Sequence, residues 1–120
     1  MTKTTINLDP DYLGRTPGEI LKLEMEKAAL QPAALARKTG LKPSFISMLM
    51  TDTRAIRAGT ALALAATLAP SAEQWLAYQN HFDLTQERAV SVMVENGHDE
   101  EQAKGWFLNH RIKLMARETT

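Results

Sequence analysis

Proline and helix-cap signals cut this chain into short helical segments, and little else can be built from it. Pro17, Pro32 and Pro43 stand where a helix is about to begin, a position that tolerates the missing N–H, and Pro70 stands where one must stop. Thr16-Pro17-Gly18-Glu19 combines a capping threonine with an acidic residue suited to the helix N-terminus. Ile20, Leu21, Met25 and Ala28 then recur at helical spacing, with Lys22, Glu24, Glu26 and Lys27 mostly outward, which predicts a helix over Pro17 to Ala29. Pro32 restarts a helix that runs through Ala33 to Thr39, with Leu35 and Ala36 inward, until Gly40 supplies a left-handed cap. Pro43 opens another at Ser44, with Ile46, Leu49 and Met50 as its inward set. Two helices of about eight residues joined by Gly40-Leu41-Lys42 have the dimensions of a helix-turn-helix.

Beyond the turn Thr51-Asp52-Thr53-Arg54, Thr60 to Leu68 is alanine- and leucine-rich and should lie in the core. Ser71 with Gln74 reads as a capping box opening a helix through Trp75, Leu76 and Tyr78. Thr85 and Gln86 read as the start of a further helix ending at Asn96-Gly97, and Asp99 with Gln102 as a second box leading through Trp106, Phe107, Ile112 and Met115. Strand-like alternation is missing at any useful length, so the expected class is all-α. Residues 1–15, with Pro10 and Gly14, read as an ordered arm or a frayed tail.

Composition excludes several function classes. The chain holds 44% hydrophobic and 23% charged residues, a globular balance, and no cysteine, so disulfides and thiolate metal sites are impossible. Neither a signal-peptide core nor a membrane-spanning apolar run is visible, which makes a cytoplasmic protein without membrane attachment the expectation. Formal net charge is zero, yet the charge is unevenly placed. Between residues 27 and 57, Lys27, Arg37, Lys38, Lys42, Arg54 and Arg57 are opposed only by Asp52, whereas 85–101 is acidic. A basic segment of this kind suits a polyanion and equally suits ordinary solvated helix faces. His81, His98 and His110 lack partners at ligand spacing, so no metal and no cofactor are expected. Glu100 and Glu101 fit a helix first turn, no nucleophile–base pair or phosphate-cradling glycine loop appears, and the chain reads as a non-enzyme.

Four blocks of the sequence together resemble the HigA-type antitoxins, within the wider Xre-like helix-turn-helix family. They are Pro17-Gly18-Glu19-Ile20-Leu21; Ala34-Leu35-Ala36-Arg37 with Gly40; Arg54-Ala55-Ile56 with Ala61 to Ala65; and Trp75-Leu76 with Gln79 and Phe82-Asp83-Leu84. The resemblance covers residues 16–84 and implies a lambda-repressor-like helix-turn-helix bundle, with 1–15 as an arm and 85–120 as a C-terminal helical extension. It further implies a homodimer on a double-stranded operator before its own operon, and a small mRNA-cleaving toxin, encoded alongside, that the protein neutralises by binding. By this likeness Pro43, Ser44, Phe45 and Met48 face the major groove, while Lys42, Thr51, Arg54 and Arg57 meet phosphates.

Here the sequence departs from the family. Arg, Gln or Asn commonly reads base edges from this helix, but this face carries one hydroxyl, Ser44, with Phe45, Met48 and a proline. Gln31-Pro32 also stands where a Ser-Gln pair usually starts the preceding helix. Two readings stay open: contacts to thymine methyl groups, or a face turned over to a protein partner. A solitary Xre-like repressor and a protein-interaction module without DNA binding are the alternatives to an antitoxin. Trp106, Phe107, Ile112 and Met115 would serve a dimer, a toxin contact or plain completion of the core.

Overall fold

The computed structural model describes the backbone of residues 8–118 and the side chains of residues 8–110. Every regular element among them is helical: α1 (Pro17–Lys27), α2 (Pro32–Thr39), α3 (Pro43–Met50), α4 (Ala58–Ala65), α5 (Ala72–Glu95) and α6 (Glu100–Glu118), preceded by a 3-10 turn at Pro10–Tyr12. None is long and apolar enough to cross a membrane.

Local cap chemistry sets most of these boundaries. The Thr16 hydroxyl accepts from the Glu19 N–H at 3.1 Å while the Glu19 carboxylate accepts from the Thr16 N–H at 2.9 Å, a reciprocal capping box at the start of α1. Ser71 and Gln74 do the same for α5. Gly40 ends α2 at φ +76° and Gly97 follows α5 at φ +92°, the left-handed geometry that a residue without Cβ adopts freely. At the start of α6, Asp99 accepts from the Gln102 N–H at 3.2 Å.

Several elements differ from the expectation. α1 stops at Lys27 rather than Ala29, because Ala29 turns left-handed (φ +55°) and lets Leu30 N–H reach the Met25 carbonyl at 2.9 Å. This is a Schellman closure made with alanine, so no glycine marks it in the sequence. The alanine-rich segment is helical over Ala58–Ala65, earlier than Thr60–Leu68; Ala61 and Leu64 are buried, but Leu62 is 66% exposed. The two helices expected between Ser71 and Gly97 are one helix of 24 residues. Thr85 does not cap a new start: it is buried, and its hydroxyl donates to the His81 carbonyl at 2.8 Å, a bond compatible with an unbroken helix. The boundary expected at 84/85 therefore falls inside α5.

The core joins Ile20, Leu21 and Met25 of α1, Leu35 of α2, Ile46 and Leu49 of α3, and Leu64, Trp75 and Tyr78 from α4 and α5. α6 folds back along the second half of α5, where Phe82 and Val90 are buried with Ala103 and Phe107 and the two phenylalanine rings lie 5.8 Å apart. The arm docks through Tyr12, whose ring meets Tyr78 edge-on at 5.6 Å. The Tyr12 hydroxyl donates to Glu24, and the Tyr78 hydroxyl accepts from the Asp9 N–H at 2.9 Å. Glu24, expected outward, is consequently only 6% exposed, with the Lys27 ammonium 3.6 Å from its carboxylate and 4.7 Å from the Tyr12 ring centroid.

The first turn of α1 sits directly on the last turn of α3. A Cβ on Gly18 would lie 2.6 Å from both the Leu49 and the Met50 carbonyl oxygens. Gly18→Ala is expected to lower stability by about 1–3 kcal/mol, the usual result of overpacking against backbone, measured by urea denaturation. A second expectation concerns alkaline pH. Burial, and then the bond to Glu24, raises the Tyr12 hydroxyl above its ordinary 10.0; burial raises Tyr78; and the hydrogen bond with Tyr12 raises Lys27 above 10.5. Each group holds its proton more tightly folded than unfolded, so this stability is complete below those ordinary values and is lost as pH climbs through the raised ones. Urea midpoints should stay level at neutral pH and fall in strong alkali, less steeply in Tyr12→Phe.

Candidate nucleic-acid interface

α3 is held from beneath and bare above. Ile46 and Leu49 are fully buried, Phe45 and Met50 are half-buried against the same core, and Met48 is half-buried. Lys42, Pro43, Ser44, Ser47 and Thr51 are exposed. Of the residues expected to face a groove, Pro43 and Ser44 are thus fully outward, whereas Phe45 and Met48 divide themselves between core and surface. Ser47, three residues after Ser44, adds a second hydroxyl to the same outward face, one that the sequence pattern did not single out. Its place on the helix at period 3.6 is the signal that would have found it. The Thr51 hydroxyl is engaged locally, 3.1 Å from the Ser47 carbonyl and 2.9 Å from the Thr53 hydroxyl.

The segment after α3 carries Arg54 and Arg57 and is tied down at three points. Thr53 and Arg54 N–H groups both reach the Met48 carbonyl, at 2.9 and 3.2 Å. Asp52 takes the left-handed conformation (φ +61°) and accepts from the Gly18 N–H at 2.8 Å. The single acid of the basic segment is therefore applied to the positive end of α1, where a carboxylate is stabilising. Ile56, with its side chain buried, donates its N–H to Gln79 Oε1 at 2.9 Å across to α5. Lys42, Arg54 and Arg57 are exposed, and among the described residues none has a carboxylate within 4.0 Å; the ion pairs found there are Lys27–Glu24 and Lys104–Glu100.

The helix N-termini divide into two groups. α1 and α5 are closed by capping boxes, while α2, α3 and α4 have Gln31, Lys42 and Arg57 at the cap position and no side-chain cap. Lysine and arginine at the positive end of a helix dipole oppose the usual preference, which is worth about 0.3–1 kcal/mol. Two of these cationic ends flank α3: its own, and that of α4 on the far side of the Thr51–Ile56 turn. Each of these ends joins an exposed cation to first-turn N–H groups that no side chain caps, an arrangement suited to anionic oxygens.

The residues expected to meet a second protein part company. Phe107 is fully buried against Phe82 within the chain, so it completes the fold and presents nothing outward. Trp106 is 39% exposed and stacks on His110 with centroids 4.4 Å apart. The side chains of Ile112 and Met115 lie outside the described residues. Among the described residues no three His, Cys, Asp or Glu side chains are grouped to hold a metal ion.

A scan against protein-family models finds no match. Among curated proteins, virulence-associated protein I of Dichelobacter nodosus is 38% identical over 69 residues, covering 57% of this chain. The match covers 64% of that relative, so the chain spans less than two thirds of its length.

The cap positions yield a direct expectation. Lys42→Asp, at an extended cap residue (φ −68°, ψ 141°), supplies both an acceptor for α3 and a favourable charge. It should raise stability by about 0.5–2 kcal/mol, read from the shift in urea midpoint.

Proposed function

We propose that this chain is a DNA-binding antitoxin that acts as a homodimeric repressor of its own operon and neutralises a small mRNA-cleaving toxin by binding it. The observation that carries the DNA-binding part is the pair of cationic, uncapped helix N-termini, Lys42 of α3 and Arg57 of α4, on either side of α3 in the chain and both exposed. Stability is given up at these two positions in favour of positive charge, which is the expected signature of a surface built for a polyanion.

In this reading α2 and α3 are the two helices of a helix-turn-helix, with Gly40 making the turn and α3 entering the major groove. Lys42, Arg54 and Arg57 contact phosphates, and Thr51 lies among them. Ser44 and Ser47 offer hydroxyls to base edges, Pro43 presents ring carbons, and the outward parts of Phe45 and Met48 reach thymine methyl groups. Specificity then rests on few hydrogen bonds and affinity mainly on counterion release. The toxin partner rests on the resemblance carried by residues 16–84, and the protein acts in this scheme without catalysis or cofactor, in the cytoplasm.

The test is gel retardation with DNA from upstream of the gene at two salt concentrations. A specific complex is expected, and with roughly six phosphate contacts per dimer its affinity falls about a thousandfold between 50 and 200 mM salt. Arg54→Ala weakens binding to every sequence, whereas Met48→Ala alters preference at one base step. No retardation at low salt overturns the DNA-binding reading and leaves a protein-interaction module. Failure to co-purify with a small protein encoded by the neighbouring gene overturns the antitoxin reading and leaves a solitary repressor.

A further inference from the structure

Arg54 and Arg57 lie on a stretch with little backbone support of its own. After the Arg54 N–H, bonded to Met48, the next backbone donor given a protein acceptor is Ile56, and that acceptor is the side-chain oxygen of Gln79 on α5. Gln79 in turn donates from Nε2 to Asp83 Oδ1 at 2.9 Å, one turn further along the same helix. The chemistry fixes which way the amide points: an N–H demands the oxygen, and a carboxylate demands the NH2. Ile56 is therefore held twice, by its buried side chain and by its backbone, between the two arginines and directly before the second.

From this geometry we infer that Gln79, oriented by Asp83, is the positioning residue that sets where Arg54 and Arg57 stand, although it lies on α5 and they lie on the stretch between α3 and α4. The inference rests on the DNA-binding reading of these arginines and deepens it. Asparagine at 79 is a methylene too short to reach Ile56. Alanine leaves the Ile56 N–H without its acceptor. Glutamate keeps the acceptor but sets a second carboxylate against Asp83. The exchange Gln79→Glu with Asp83→Asn restores one acceptor toward Ile56 and one donor–acceptor pair along α5 with the net charge unchanged.

The experiment titrates a fluorescently labelled random-sequence DNA duplex with the full-length chain and follows anisotropy at several salt concentrations, alongside thermal melting of each variant. Gln79→Ala is expected to weaken binding roughly tenfold or more, and to flatten the plot of log affinity against log salt by about 0.9 for each arginine that no longer meets a phosphate. Gln79→Glu should fall between Gln79→Ala and wild type, and the Gln79→Glu/Asp83→Asn pair should recover the wild-type slope. A lower melting temperature with an unchanged slope would mean that Gln79 only stabilises the fold, and overturns the inference while leaving the DNA-binding reading intact. Failure of the exchange to recover the slope also overturns it. A wild-type chain that does not bind the duplex at low salt overturns both.

Discussion

The first turn of α1 lies so close to the last turn of α3 that no side chain fits between them. Gly18 permits the approach, and the Asp52 carboxylate then closes it by accepting the Gly18 N–H. A charge-assisted bond of this kind stabilises by about 1.5–3 kcal/mol, and here it also joins the N-terminus of one helix to the C-terminal turn of another. The left-handed turn at Asp52 that makes this possible also directs the chain toward Arg54 and Ile56. The position of α3, the exit of the basic segment and the burial of Ile46 and Leu49 all follow from that contact. Substituting the glycine alone sets backbone against side chain, because the opposing atoms are carbonyl oxygens that cannot rotate away.

Charge is distributed with a comparable economy. The one acid in the basic segment is held at a helix N-terminus, so Lys42, Arg54 and Arg57 stand without a carboxylate partner among the described residues. Elsewhere the chain observes the ordinary rules of helix capping with care, through Thr16, Ser71 and Asp99. The exceptions therefore carry information. A chain that caps α1, α5 and α6 with side chains leaves α2, α3 and α4 without them, and places lysine and arginine at the last two, which adjoin the region proposed to meet DNA.

Much of this architecture is legible in the sequence because its signals are local. Thr16 with Glu19, Ser71 with Gln74, Gly40 and Gly97 each act within four or five residues, and each marks the boundary it implies. What escaped is either unmarked or remote. Ala29 adopts a conformation normally left to glycine, so α1 reads two residues too long. Thr85 has the composition of a helix start and the hydrogen bonding of a helix interior. Glu24 is buried only because Tyr12 arrives from outside its helix, and Gln79 acquires its task only when Ile56 lies beside it. At the candidate site the cations were readable individually, but the absence of caps beneath them, and the alignment of Ser47 with Ser44, needed the helices in place.

The continuity of α5 alters what the last third of the chain is. At about 1.5 Å per residue the helix is a rod of roughly 36 Å, with Trp75 and Tyr78 in the central core and Phe82 and Val90 against α6. Both apolar groups therefore hang on one unbroken ladder of backbone bonds, with no hinge between them. A chain cut after Leu84 would end in mid-helix, with four carbonyls stripped of their donors and the Phe82 ring bare to water. The C-terminal hairpin is thus built on the same helix that carries Gln79 and Asp83, and no loop separates the two.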